Sequence, residues 1–526
     1  VRLAAPAATE NWAEIMATTY TTMFPHVTTA PVDGSYVFDM SHLDNPSRPV
    51  SLLLVTLLGV SGLIALGLYE VVVGDRFSDQ ALSIWCWLYL AVSLIWALGK
   101  VFRPGPRNWL SPDVVFWIVF TMFHIPYVVF YLLDWADYSD EVFHSAEATN
   151  RSMCCVLLCT IGFLIGYELG PLGREEPARF MPATRVSSHM YFGARLLLLV
   201  TAVGAAVGLI VGVGPAILAS GYLAFRRARE LGTGEETQRV VGLLQMFMRI
   251  GVTIYTAACI TRHRKIIKGP IPMTIIATIL VFFLLTGARS EAAVAAIPLL
   301  IGYHYFVRRI RLWLGIPMLA GMVFLFGVVG IGRTAQSLSP AAFYAAYKEY
   351  RASTGVNPFV HTLAKTGGSL ATVNVACSYV PAHESYWLGS SLARAAWTVV
   401  PMPVAGLRGN WMSPSQWVTY RATGRLAGEQ RKGWGASIAM EAYVNFGLIG
   451  GAMFLALVGF LLRRFYDTML RRPTFLRICF FLMLIACVVM WCRNQSAHLF
   501  RPVVWTMIVA WVIHVIFGGP RARVPW

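Results

Sequence analysis

Long apolar runs separated by short polar ones dominate this chain, and they restrict it more than any motif does. Inside a bilayer every backbone N–H and C=O must be satisfied internally, so a run of about 17 to 25 apolar residues reads as a membrane-spanning helix. About twelve such runs are present, at approximately 50–69, 81–98, 114–133, 153–169, 195–218, 241–260, 271–287, 291–306, 312–331, 438–462, 476–491 and 502–518. Those beginning near Glu291 and Leu476 are the shortest. Composition agrees, with 57% hydrophobic and only 13% charged residues, where soluble domains carry about a quarter charged residues. The expected fold is an all-α polytopic membrane protein of about twelve transmembrane helices with a large, partly helical periplasmic loop.

Orientation follows from the short loops, because Lys and Arg concentrate on the cytoplasmic side. Arg262, Arg264, Lys265 and Lys268 follow the sixth run, Arg308, Arg309 and Arg311 the eighth, and Arg463, Arg464, Arg471 and Arg472 the tenth. All three loops are assigned to the cytoplasm. Counting backwards puts Lys100, Arg103 and Arg107 inside and the acidic stretch Asp134, Asp137, Asp140, Glu141 and Glu147 outside. Both termini are then cytoplasmic, and the expected location is a cell membrane. Five parts result: a tail at 1–49, spans one to nine at 50–331, the large loop at 332–437, spans ten to twelve at 438–518, and a tail at 519–526.

Several function classes drop out. The net charge of +17 lies in short clusters between apolar runs, with no basic tail and no nucleic-acid module, so membrane topology accounts for much of it. There is no Walker-type glycine loop, no dinucleotide fingerprint and no His-Glu-x-x-His, and the eleven histidines are scattered. Neither a metal nor a cofactor is expected. With no cytosolic module to hold a nucleotide sugar, a membrane lipid is the expected donor carrier. No cleavable signal precedes span one, which is expected to serve as the insertion signal, and the tail is given no function. Nine cysteines are too few and too membrane-embedded for a disulfide framework, although Cys377 in the outer loop and Cys492 at a span edge leave room for one bridge.

Charge on the outer face points to an anionic partner. Between Gly332 and Ser437 stand ten Lys/Arg against three acids, an excess that anchoring does not require. Gly287-Ala288-Arg289-Ser290-Glu291 forms a tight turn between two spans, so Arg289 and Glu291 sit at or just below the outer interface. Arg289 either pairs with Glu291 or snorkels, or it presents its planar fork to a phosphate. Arg226 and Arg227 lie on a segment with helical propensity, and Arg493, His498 and Arg501 on the short connection between the last two spans. With Arg333 and Arg408 in the large loop, seven arginines are expected on one membrane face. At the end of that loop Glu441 opens span ten, with Tyr443 beside it and Asn445 one turn on, so that Glu441 and Asn445 share a face. Glu441 is either a first-turn carboxylate favoured by the helix dipole, or a base or sugar-binding group at a membrane-interface cleft.

The segment Gly-Ala-Ser-Ile-Ala-Met-Glu-Ala-Tyr-Val-Asn-Phe-Gly-Leu-Ile-Gly-Gly (Gly435 to Gly451) resembles the signature that closes the large periplasmic loop in the O-antigen polymerase (Wzy) and oligosaccharide repeat-unit polymerase family. Thr286 to Glu291 resembles that family's short arginine turn. The resemblance extends more loosely to span number, the late loop and the arginines near Tyr222 to Arg229, and it omits the first 49 residues. It implies polymerisation of undecaprenyl-pyrophosphate-linked oligosaccharides on the outer leaflet, by a protein similar in fold to the metal-independent GT-C-type lipid-sugar glycosyltransferases. A chain-length regulator and a flippase are the partners it implies.

In that chemistry, fixed cations stabilise the charge that grows on a departing pyrophosphate, and a base takes the acceptor hydroxyl's proton. Arg289 is the first candidate for the cation, helped by Arg333, Arg493 and Arg501. Glu441 is the first candidate for the base, with Glu291 and His498 as competitors. Tyr443, Asn445, Trp411 and Trp434 are candidates for holding sugar rings, under a loop expected to form a lid. Two rivals stay open: a ligase that moves the finished glycan, and a lipid-linked oligosaccharide flippase, which should show repeated halves that this chain lacks.

Overall fold

The computed structural model describes residues 48–72, 78–103, 108–135, 146–170, 186–213, 235–285, 289–315, 366–400, 412–425, 434–471 and 473–518, with isolated residues between 317 and 364. Among the described residues every regular element is helical. In chain order these are α1 (Arg48–Val72), α2 (Asp79–Phe102), α3 (Pro112–His124), α4 (Pro126–Leu132), α5 (Ala146–Leu169), α6 (Ser188–Val213), α7 (Glu235–His263), α8 (Pro270–Leu285) and α9 (Arg289–Gly302). They continue with α10 (Ser369–Tyr379), α11 (Ser390–Trp397), α12 (Pro414–Thr423), α13 (Ile438–Arg471), α14 (Phe475–Trp491) and α15 (Ala497–Phe517).

Seven of these helices are long and apolar enough to cross a membrane, and α3 with α4 makes an eighth if the pair is one span bent by 47°. The bend falls at Pro126, whose ring removes an N–H and clashes with the preceding turn. α8, α14 and the apolar part of α6 are shorter. The expectation of about twelve spans is thus met by a helix at eleven of the twelve runs, of which at most eight pass on length and composition. The run at 312–331 lies largely outside the described residues.

Helix ends are set by local chemistry. Ser78 caps α2 by accepting from the Ala81 N–H at 3.1 Å, and Thr474 caps α14 in the same way. α12 opens with a full capping box, Ser413 and Gln416 each bonding the other's backbone, which satisfies two otherwise orphaned donors.

Two helices form the centre. α5 is buried nearly all round, whereas α1 and α2 keep exposed apolar faces carrying Leu53, Leu63, Trp87 and Leu90, as lipid-facing helices should. α5 carries Gly162 and Gly166, with Gly170 just past its end, and α13 lies against that stripe. A Cβ on Gly162 would strike the carbonyl of Ala452, one on Gly166 the carbonyl of Ala456, and one on Gly459 the backbone of Phe163. The two backbones therefore touch, with small residues four apart on both sides, the arrangement by which helices associate where lipid and side chain are equally apolar.

One end of the bundle is closed by charge. Lys100 on α2 reaches Asp113 on α3 at 2.5 Å and Glu168 on α5 at 3.7 Å. Arg103 pairs with the same Glu168 and donates to Ser51 of α1 at 2.7 Å. Alongside, Asn108 donates to Tyr305 (2.8 Å) and Tyr466 (3.1 Å) and contacts His304 at 2.9 Å, and Arg463 lies over Tyr167. The loops carrying Lys100 and Arg103, Arg308, and Arg463 thus meet at one end. Lys100 and Arg103 are more than topological anchors, since both balance carboxylates buried inside the bundle.

The Gly166 contact gives the first test. Gly166→Ala should destabilise the purified protein by about 1–3 kcal/mol through overpacking, read as a lowered melting temperature in detergent. Gly59→Ala on α1, where an added Cβ meets nothing within 4 Å, should leave the melting temperature unchanged or raised.

Candidate functional site

At the opposite end from the charge network, α13 begins in a knot of buried polar groups. Ser437 caps it through Met440 N–H at 3.1 Å. One turn on, Glu441 is 1% exposed. Its Oε1 accepts from Ser391 Oγ at 2.8 Å, and its Oε2 accepts from the backbone N–H and hydroxyl of Ser496 at 2.8 and 2.7 Å. Asn445 donates to Ser391 Oγ at 2.7 Å and to the Glu441 carbonyl at 2.6 Å, and accepts from Gly389 N–H at 2.9 Å. Tyr443 donates its hydroxyl to the Val380 carbonyl at 2.8 Å.

The candidates for base and sugar ligands, Glu441, Tyr443 and Asn445, thus stand together at the start of α13. Glu441 and Asn445 share a face, and the polar atoms of all three are bonded within the protein. Glu441 joins α11, α13 and the start of α15.

Just below this knot α13 breaks. Gly447 has φ 72° and ψ −165°, a left-handed backbone that glycine adopts without a steric penalty. The carbonyls freed at the break are taken up by a strip of the large loop, Trp387 N–H bonding Val444 O at 2.9 Å and Leu388 N–H bonding Asn445 O at 3.1 Å. The described parts of the loop are consequently built into the helices. Cys377 sits buried in α10, and both it and Cys492 are free thiols, which overturns the bridge and the exposed placement of Cys377.

Ser496 is the last residue before α15, so Glu441 fixes the turn from Cys492 to Ser496 and sets how α15 starts. The same turn is held from α12, where Ser415 N–H and Oγ donate to Gln495 Oε1 at 3.3 and 3.2 Å. Arg493 on this turn is exposed and lies over the Phe123 ring. His498 and Arg501 follow on the first turns of α15, His498 exposed and Arg501 half-buried.

A group of charges gathers beside them. Arg249 on α7 pairs with Glu291 on the first turn of α9 at 2.6 Å, their side chains 11% and 20% exposed. The charged neighbours of His498 are Glu291, Arg249 and Arg501, and Cys487 of α14 also feels Arg249 and Glu291. Four helices thus converge on two arginines, one carboxylate and one imidazole, with a cationic excess that suits an anion. Of the candidate site residues, Glu291, His498 and Arg501 are brought together. Arg289 begins α9, two residues from Glu291. Glu291 takes Arg249 as its ion-pair partner.

Arg249 is the residue that sequence reasoning passes over, although its signal is plain. It is a lone arginine inside the run 241–260, and a charge within a span is costly enough to mark function or pairing. Arg151 is another. It donates to Tyr69 Oη at 2.7 Å, approaches the Cys377 carbonyl at 3.4 Å and pairs with Glu147. Arg226, Arg227, Arg333, Arg408 and Trp411 lie outside the described residues, while Trp434 is half-buried and bonded through its backbone to Thr419. Among the described residues no group of three or more His, Cys, Asp or Glu side chains could hold a metal ion.

If Glu441 is a clamp, Glu441→Gln should destabilise the protein by about 1–3 kcal/mol, since one buried donor then faces an amide N–H. Ser391→Ala, which removes the partner of both Glu441 Oε1 and Asn445 Nδ2, should also destabilise. Thermal melts of the purified variants read both, and a Glu441→Gln melt equal to that of the parent would exclude the clamp.

A comparison of the sequence with known proteins fits the multi-pass helical architecture. No curated protein and no solved structure matches the chain. A family model does, the one described as O-antigen polysaccharide polymerase Wzy, over residues 51–519. That match covers α1 to α15 with both the Glu441 clamp and the Arg249 cluster inside it, and the chain belongs to the O-antigen polysaccharide polymerase Wzy family.

Proposed function

We propose that this chain extends undecaprenyl-pyrophosphate-linked glycans on the outer leaflet of the bacterial inner membrane, joining repeat units into a polysaccharide. The family supports an O-antigen repeat-unit polymerase; the donor, the side of the membrane and the assignment of residues are our reading. The observation that carries it is the Arg249–Glu291 pair beside His498 and Arg501. Both termini are read as cytoplasmic, which puts the charge network of Lys100 and Glu168 on the inner side and the Arg249 cluster towards the outer one. A metal-independent GT-C-type glycosyltransferase is the fold analogy we favour.

In this reading the acceptor hydroxyl oxygen attacks the anomeric carbon of the growing chain, the bond from that carbon to the pyrophosphate oxygen breaks, and the lipid pyrophosphate departs with the electron pair. Arg249, Arg501 and Arg289 supply fixed positive charge to the departing oxygens, where a preorganised donor is worth far more than in water. Glu291 or His498 takes the hydroxyl proton. Glu441 takes no part in proton transfer and holds the turn that aims His498 and Arg501. A flippase delivering the repeats and a chain-length regulator are the partners such a reaction calls for.

Loss of one positioned donor typically lowers turnover by about 10²–10³. Arg249→Ala, Arg501→Ala and Arg289→Ala, each checked for its level in the membrane, should therefore leave glycans of a single repeat unit on the cell surface where the parent makes a ladder. Arg249→Lys should recover only part of the activity, because an ammonium lacks the planar fork. Full-length ladders from all three alanine variants would defeat the assignment, and long chains accumulating on the lipid pyrophosphate would indicate a ligase.

A further inference from the structure

The stretch from Tyr386 to Val400 is counted by sequence as part of a water-exposed loop, yet its contacts lie deep along two membrane-crossing helices. At its start, Leu388 N–H bonds the Asn445 carbonyl beside the Gly447 break, about 10 Å into α13 from Ile438 at 1.5 Å per residue, with Ile449 and Met453, 61% and 68% exposed, one and two turns further on. Its far end runs alongside α15, where Trp505 Nε1 donates to the Val399 carbonyl at 3.2 Å. Trp505 is eight residues beyond Ala497, about 12 Å along the helix at 1.5 Å per residue. α15 has 21 residues, about the length needed to cross a ~30 Å hydrocarbon core. A point 12 Å along it is therefore well inside the outer half.

We infer that α11 and its flanks form a re-entrant element that dips into the outer leaflet, with lipid acyl chains as the partner covering Leu388 and Trp397. Leu388 is 82% exposed and Trp397 41% exposed, and the two helices they pack along expose Ile449, Met453 and Ile508. Arg394 is the only charged residue on α11.

Backbone bonding supports the same placement. Irregular backbone at membrane depth is tolerated only where protein satisfies it. The N–H groups of Trp387, Leu388 and Gly389 are bonded to Val444 O, Asn445 O and Asn445 Oδ1. At the other end Val399 and Val400 N–H bond back to Ala396 O and Trp397 O. A loop standing in water would have no need of this.

The placement holds whatever reaction the Arg249 cluster serves, and it can be tested on the full chain in nanodiscs of phosphatidylethanolamine and phosphatidylglycerol. Nitroxides are attached at Leu388→Cys, Trp397→Cys and, as a water-side control, Ser385→Cys; signal from the unlabelled-site parent is subtracted, the described native cysteines being buried except half-buried Cys86. Oxygen should relax the labels at 388 and 397 several-fold more, relative to a water-soluble nickel chelate, than the label at 385. Equal relaxation by the nickel chelate at 397 and 385 would overturn the inference. A benzophenone amino acid at position 397, irradiated in intact membranes, gives a reading independent of the cysteine variants. Phospholipid adducts are expected, whereas adducts solely to protein, including a second copy of this chain, would refute lipid as the partner.

Discussion

The contact between the backbones of α5 and α13 fixes the rest of the molecule. In a bilayer there is no hydrophobic gain from bringing two helices together, so association rests on close van der Waals approach and on hydrogen bonds. Gly162, Gly166 and Gly459 permit that approach, and everything else is arranged around the pair. On one side of it α1, α2 and α3 are tied to Glu168 and Asp113 by Lys100 and Arg103. On the other, α14 and α15 complete the wall that carries His498 and Arg501. A charge buried without its partner costs several kcal/mol, so the pairs at the far end lock the helices in a single register.

Polar groups at the other end divide into two kinds. Around Glu441 the bonded groups come from three elements: Ser391 from α11, Asn445 from α13, Ser496 from the start of α15. Such a network specifies geometry and has no capacity left for a ligand. Around Arg249 the balance differs, since two arginines and an imidazole gather at one carboxylate and all four members stay at least partly open to solvent. The saturated knot holds the turn, and the unsaturated cluster hangs from it.

Much of this architecture is legible in the residues alone. The apolar runs give the helices in order, because period and length are local properties, and the clustering of Lys and Arg gathers the helix ends that do meet. The match of Gly435 to Gly451 with a polymerase signature points to the correct family and to a real junction. The role of Glu441 is not legible, because a carboxylate on the first turn of a helix looks the same whether it is a base or a clamp. Its partners Ser391 and Ser496 are fifty or more positions away, and only the fold brings them there. Arg249 and the glycines at 162, 166 and 170 are different. Both signals are present locally, an isolated charge within a span and small residues spaced four apart, and they can be read without coordinates.

The break at Gly447 turns part of the large loop into a closed circuit. The chain passes this point at Trp387 and Leu388, between α10 and α11, and returns to it at Val444 and Asn445, where the two ends of the excursion are bonded to each other. Loops closed at a common point can lengthen cheaply, by about 0.6 kcal/mol for each doubling of a flexible stretch. Between α11 and α12, therefore, residues can be added, lost or exchanged without disturbing the spans on either side. Changes of length in that connection are then absorbed within the excursion, and the helices it leaves and rejoins keep their places.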